Sequence, residues 1–176
     1  MDHKHKVLVM SDTHGDYRIL NEVVKAELPF EYLIHCGDAE ANPEIILDCL
    51  DQYKLVAVRG NCDLWNDLPA WQTVKIGFCN VLAVHGHRHG VKDGTRGLLE
   101  LARKNHADVV CYGHTHSPSV ERDPSGILLI NPGSLTRNRP APRNGTYAIL
   151  TVSEDFPPEA VLKEWDPLRR EVRKIT

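Results

Sequence analysis

The sequence predicts an α/β protein in which two mixed β-sheets pack face to face and are flanked by helices. Three observations carry that expectation. Five short apolar runs, each closed by Gly, Asp, Asn or His, read as buried strands. Helical patterns separate the first three runs, so the amino-terminal half reads βαβαβ with a parallel sheet. Hairpin signals follow in the second half, which calls for a second sheet laid on the first.

Taken in order, Lys6-Val7-Leu8-Val9-Met10 runs into Asp12-Thr13-His14. From Asp16 to Leu28 the residues Ile19, Leu20, Val23, Val24 and Leu28 share one helical face, with Asp16 as N-cap and Pro29 as the stop. Tyr32-Leu33-Ile34 leads to Gly37-Asp38. Asn42-Pro43-Glu44 reads as N-cap, first-position proline and first-turn acid of a helix with Ile45, Ile46, Cys49 and Leu50 on one stripe. Leu55 to Val58 leads to Gly60-Asn61. Trp71 to Ile76, Gly77 and Phe78 to Val84 form a hairpin that delivers His85. A helix over 94–105 precedes the strand Asp108 to Tyr112, which delivers Gly113-His114-Thr115-His116. Val120 to Arg122 and Ile127 to Ile130 flank the turn Asp123-Pro124-Ser125-Gly126. Thr146 to Val152 is a further strand, and the tail from Val161 to Ile175 reads as a strand, a break at Pro167 and a charged end.

Composition narrows the function. The 176 residues fit one domain, 1–176, with a sizeable core and no length for a cap domain. A net charge of −3 argues against a nucleic-acid surface, with a local exception at Arg137, Arg139 and Arg143. No apolar stretch approaches the roughly 20 residues of a membrane span. The apolar run after the amino terminus is too short for a signal peptide, so a cytoplasmic location is expected. Five cysteines with no C-x-x-C pair argue against a disulfide framework and against a structural zinc site.

In open α/β sheets the loops at the carboxyl ends of the strands form the ligand crevice. Seven donors arrive there: Asp12, His14, Asp38, Asn61, His85, His114 and His116. That is too many for one metal ion and about right for two. Mixed carboxylate, amide and imidazole donors without thiolate suit manganese, iron, zinc or nickel better than calcium or magnesium. Two such ions roughly 3.5–4 Å apart clamp an in-line displacement at phosphorus. Asp38 is the candidate bridge, because it stands alone at its strand end beside Gly37.

The series Asp12-x-His14, Gly37-Asp38, Gly60-Asn61-x-Asp63, His85-Gly86-His87 and Gly113-His114-Thr115-His116 resembles the calcineurin-like metallophosphoesterases, closest to their small bacterial and archaeal phosphodiesterase branch. The resemblance runs from about Val7 to Val152 and includes Asn131-Pro132-Gly133-Ser134. It implies Asp12, His14, Asp38 and His116 around one metal, Asp38, Asn61, His85 and His114 around the other, and Asp38 between them. It also implies the αββα sandwich of that family. Two divalent ions are the implied cofactor, manganese first, with nickel, iron or zinc as alternatives.

Many members carry His after Gly-Asn, where it stabilises the transition state or protonates the leaving oxygen; this chain has Cys62. The small branch also tends to have Cys there. A thiol is a poorer proton donor and carries no positive charge. Cys62 reads as a small residue of the site wall, with a nucleophilic role as the minor alternative. His87 is the alternative acid, or else a side chain that supports the ligands from behind or faces solvent. Asp63 either orients Cys62, His87 or a water, or is a turn residue. Arg59, Arg137 and Arg139 are candidates for substrate phosphate oxygens. His3, His5, His89 and His106 read as solvent-facing, and His35 as buried or as support for the site.

The expected function is a two-metal phosphodiesterase that hydrolyses small phosphodiesters through a metal-bridging hydroxide, a homo-oligomer remaining open. Two other readings stand beside it. One is an inert interaction scaffold, because a retromer-coat subunit resembles the same branch. The other is a nuclease, against which the acidic balance and the lack of a basic or aromatic stripe both count.

Overall fold

The computed structural model describes residues 4–137 and 144–175. Strands β1 (His5–Met10), β2 (Tyr32–His35) and β3 (Lys54–Ala57) alternate with helices α1 (Tyr17–Glu27) and α2 (Pro43–Ile46). The hairpin β4 (Trp71–Ile76) and β5 (Cys79–Val84) follows, then α3 (Arg96–Lys104) and β6 (Val109–Cys111). β7 (Ser119–Arg122), β8 (Leu128–Asn131), β9 (Gly145–Val152), β10 (Glu159–Asp166) and β11 (Glu171–Lys174) complete the chain.

The strands form a six-stranded sheet in the order β11-β10-β9-β1-β2-β3 and a five-stranded sheet in the order β4-β5-β6-β8-β7. Each is mixed. β1, β2 and β3 are parallel and β9 lies antiparallel to β1. β5, β6 and β8 are parallel, and β4 and β7 flank them antiparallel. The two sheets meet through Val7, Val9 and Ile34 on one side and Val81, Val109 and Ile130 on the other. The alternate residues Leu8, Met10 and Leu33 pack under Leu20, Val23 and Val24 of α1. Leu82, Val110 and Leu129 pack under Leu98 and Ala102 of α3. Both faces of these strands are therefore buried, and their residues read as unbroken apolar runs instead of alternating ones.

Helix α1 starts where Asp16 accepts from the Ile19 amide at 3.1 Å, as its N-cap position requires. Two expectations need correction. The second helix stops after a single turn at Ile46 and does not carry Ile45, Ile46, Cys49 and Leu50 on one stripe. Asn21 of α1 intervenes: its amide donates to Ile46 O and accepts from Asp48 N, both at 2.8 Å, holding the chain in an extended turn. Cys49 then takes a left-handed conformation and Ile45 is left exposed. The tail is a hairpin, β10 with β11, instead of one strand and a charged end. Pro167 sits in its turn, where Asp166 accepts from the Leu168 and Arg169 amides.

Under the first sheet lies a buried carboxylate, Glu27. Its oxygens meet Lys6 Nζ at 2.9 Å, Lys163 Nζ at 2.8 Å and the Tyr147 hydroxyl at 2.7 Å. Burial pushes the Glu27 carboxyl up, but Lys163, Lys6 and Tyr147 outweigh it and hold the value below the ordinary 4.5. A depressed folded-state value contributes stability that is present above the unfolded pKa and lost as pH falls through the folded one. Glu27→Gln is therefore expected to cost stability at neutral pH and to flatten the decline below pH 4.5. Urea midpoints from pH 3 to 7 check this; parallel curves for the two proteins would contradict it.

Candidate metal centre

The carboxyl ends of β1, β2, β3, β5 and β6 converge, and the loops after them carry every residue of the expected donor set. Their backbone is strained. Asp12, His14, Asp38, His114 and His116 all have positive φ, between 45° and 71°. Non-glycine residues rarely hold this conformation, and it persists only where the surroundings over-determine it. Here they do. Asp12 N donates to Gly37 O and His14 N to Asp38 O, each at 3.0 Å, which ties the first loop to the second. Glycine is needed at 113 because a Cβ there would fall 2.0 Å from the Ser11 hydroxyl oxygen.

The ring orientations are set from outside. His85 Nδ1 lies 2.7 Å from Cys36 O, and His116 Nδ1 lies 2.8 Å from Arg137 O. His14 Nδ1 lies 2.7 Å from a Glu40 carboxylate oxygen. Carbonyl and carboxylate oxygens only accept, so each Nδ1 carries the hydrogen and each neutral ring turns an Nε2 lone pair inward. There the lone pairs meet other acceptors. His14 Nε2 and His116 Nε2 are 3.3 Å apart, and His85 Nε2 is 3.1 Å from Asn61 Oδ1 and 3.4 Å from Asp38 Oδ2. Asp12 Oδ1 is buried without a hydrogen-bond partner among the described residues, although His116 Nε2 stands 3.1 Å away and His14 and His85 Nε2 stand 3.9 Å away.

A cage of acceptors demands positive charge. The two carboxylates express that demand. Burial pushes Asp12 up, but the His116 and His85 imidazoles and the Ser11 hydroxyl outweigh it. Burial likewise opposes Asp38, whose pKa is held well below the carboxylate range by His85 and by the Cys62 amide. His85 moves the other way, raised by Asp38 and Asp12 against its burial. Asp12, His14 and His116 bring ligand atoms within 4.8 Å of one another, and so do Asp12, Asp38 and His85. These residues fit a bound divalent cation.

The expected donors are not all equally close. His114 stands outside those two groups, its ring centre 5.2 Å from that of His85 and its backbone amide on Asp12 Oδ2. Cys62 joins a third group with His14 and Asp38 and donates its amide to Asp38 Oδ1 at 2.7 Å. Burial, then Asp38, pushes its thiol up to about 11, so it is protonated at neutral pH. Iodoacetamide labelling at Cys62, followed by mass spectrometry, is expected to be slow at pH 7 and to rise about tenfold per pH unit toward 11. Fast labelling at pH 7 would mean a reactive thiolate.

Asp63 spends its carboxylate on three backbone amides: Asp38 and Gly60 at 2.8 Å and Glu40 at 2.7 Å. That is the turn-residue alternative, with consequences for Asp38. His87 has its ring centre 5.3 Å from that of His85, and burial, then the neighbouring His85 and Arg88, lowers its pKa to about 4. Arg59 and His87 face a separate hollow, and Arg137 meets the cluster through its carbonyl. Arg139, Arg143 and His3 lie outside the described residues. His106 is exposed as expected, whereas His5 is half-buried against Glu31 and His89 is half-buried. His35 is buried, with its ring nitrogens near the Thr13 hydroxyl and the Gly37 amide.

Sequence reasoning missed the clamps. Ser134 donates its hydroxyl to Asp12 O at 2.7 Å and accepts the Thr136 and Arg137 amides. Asn131 donates to the Thr115 hydroxyl at 2.9 Å, and Glu40 orients His14. The Asn131-Pro132-Gly133-Ser134 turn was the available signal for the first two, and Glu40 two residues past Asp38 for the third.

A phosphoesterase fold with this donor set has a defined family. The chain belongs to the calcineurin-like phosphoesterase superfamily, whose domain model matches residues 6–155. It is 35% identical over 170 residues to the probable metallophosphoesterase YsnB of Bacillus subtilis, covering 96% of this chain and 95% of that one. It is 30% identical over 154 residues to the phosphodiesterase YfcE of Escherichia coli K12, covering 74% and 79%. The crystal structure of a conserved Streptococcus pneumoniae protein, described as a predicted phosphoesterase, superposes with a TM-score of 0.78 at 25% identity over 98% of each chain. Among the described residues no helix is long and apolar enough to cross a membrane.

Proposed function

We propose that this protein is a two-metal phosphodiesterase acting on small phosphodiesters. The observation that carries the reading is the inward-facing set of acceptors around the orphaned Asp12 Oδ1. Asp12, His14, Asp38 and His116 would hold one divalent ion, and Asp38, Asn61, His85 and His114 the other, manganese being the first choice. Such ions supply Lewis-acid charge for phosphoryl oxygens and make water nucleophilic near neutral pH.

The chain's own residues do the rest. Cys36 O, Arg137 O and Glu40 fix three imidazoles before substrate arrives, so no reorganisation is needed at the moment of reaction. A cleft of about 840 Å³ opens over His14, Asp38, Asn61, His114 and His116, which is ample for a small diester. Five free cysteines fit a reducing, cytoplasmic setting. Diester preference is supported by the likeness to a relative described as a phosphodiesterase.

Leaving-group protonation should be weak, because the Cys62 thiol is neutral and His87 has been pushed down to about 4. The test is one experiment. Protein stripped of metal is assayed with a series of aryl phosphodiesters and the matching monoesters after manganese, nickel, zinc or magnesium is restored. The expected result is metal-restored diester hydrolysis whose rate climbs steeply as the leaving group becomes more acidic. Rates independent of leaving-group pKa would point to an unseen acid. No turnover with any metal, in a folded protein, would favour the scaffold reading.

A further inference from the structure

A second hollow of about 400 Å³ adjoins the catalytic cleft, and Asn61 lines both. Arg59, His87, Arg88 and Leu64 form much of its wall. The carboxylate in that wall, Asp63, already accepts three backbone amides and forms no ion pair with either arginine. Arg18, Arg96, Arg103, Arg169, Arg170 and Arg173 each reach a carboxylate within 4.0 Å, and Arg122 donates to the Gly126 and Pro158 carbonyls. Arg59 and Arg88 take part in no such pair among the described residues. His87 lines the same hollow between them and the metal cluster. Two guanidinium groups without a carboxylate partner, beside the cleft proposed to take one phosphoryl group, are suited to a second anion.

We propose that this hollow is an anion subsite in which Arg59, His87 and Arg88 receive a phosphate group of the substrate other than the one being hydrolysed. The protein then selects small phosphodiesters that carry a terminal phosphate. This rests on the phosphodiesterase reading and names the substrate class that reading left open. Asn61 stands where the two hollows meet, so a substrate straddling it presents the diester to the cleft and the terminal phosphate to the arginines. Arg88 is exposed and has no hydrogen-bond or ion-pair partner among the described residues, which makes it the position to change without disturbing the fold.

The experiment compares two nitrophenyl esters of thymidine 5′-phosphate, one with a free 3′-hydroxyl and one with a 3′-phosphate, on the metal-loaded protein. The wild type is expected to favour the phosphorylated ester in kcat/KM by about tenfold or more, mainly through KM. In Arg88→Ala that ratio is expected to fall close to one. No preference in the wild type, or a preference that survives in Arg88→Ala, overturns the proposal. If neither ester turns over with any metal, the phosphodiesterase reading has failed and the subsite is judged by binding alone. Calorimetry with thymidine 3′,5′-bisphosphate then decides: affinity about tenfold weaker in Arg88→Ala supports the subsite, and equal affinity overturns it.

Discussion

Asp38→Asn is expected to lower metal-restored phosphodiester turnover by about a thousandfold or more while leaving a folded protein. The fold should survive because asparagine keeps an oxygen for the Cys62 amide, which Asp38 Oδ1 accepts at 2.7 Å. What is lost is the negative charge on the oxygen facing His85 Nε2 at 3.4 Å, in a loop already bent to φ 55° to put it there. If Asp38 bridges two divalent ions as proposed, losing its charge removes several kcal/mol of transition-state stabilisation, and each ~1.4 kcal/mol is tenfold in rate. Metal content per chain, measured alongside kcat, separates a binding defect from a catalytic one. Turnover within tenfold of wild type would show that Asp38 is not the bridge.

Asp63→Ala should produce the largest loss of stability, about 3–5 kcal/mol. One buried carboxylate gathers the amides of Asp38, Glu40 and Gly60, so its removal strands three donors at once. The same substitution releases the loops that carry Asp38 and Asn61, and metal affinity should fall with it. Urea unfolding of the metal-stripped protein isolates the first effect, and metal titration the second. Asp63→Asn, which keeps one acceptor oxygen, should fall between the two. A change below about 1 kcal/mol in Asp63→Ala would mean that water replaces the carboxylate at little cost.

The parts of the molecule that were legible from sequence are those where local pattern and burial agree. β1, β2, β5, β6 and β9 are apolar runs long enough to be central strands, and Asp16 and Pro29 bracket α1. The donors were legible because each follows such a run or, for Asn61, the edge strand β3. The failures share one cause, tertiary contacts acting on weak local signals. The Asn42-Pro43-Glu44 start is a sound helix beginning, yet Asn21 from a different helix ends it one turn later. The Asn131-Pro132-Gly133-Ser134 turn marks Ser134 as notable, but not that its hydroxyl grips Asp12 O from 122 residues away. The pairing of β10 with β9 and β11 depends on register across the sheet, which the short charged tail does not encode by itself.

The donor set is divided between the two sheets. Asp12, His14, Asp38 and Asn61 follow strands of the six-stranded sheet, whereas His85, His114 and His116 follow strands of the five-stranded one. An ion held by donors from both sheets would therefore act as a rivet across the seam of the sandwich, at the edge where the apolar interior stops. Loading it should do more than enable chemistry: it should suppress the opening of that edge, because occupancy of the native state draws down every conformation in which the sheets have parted. Amide exchange in the loops after β1 and β6 would then slow together on metal addition, although they belong to different sheets.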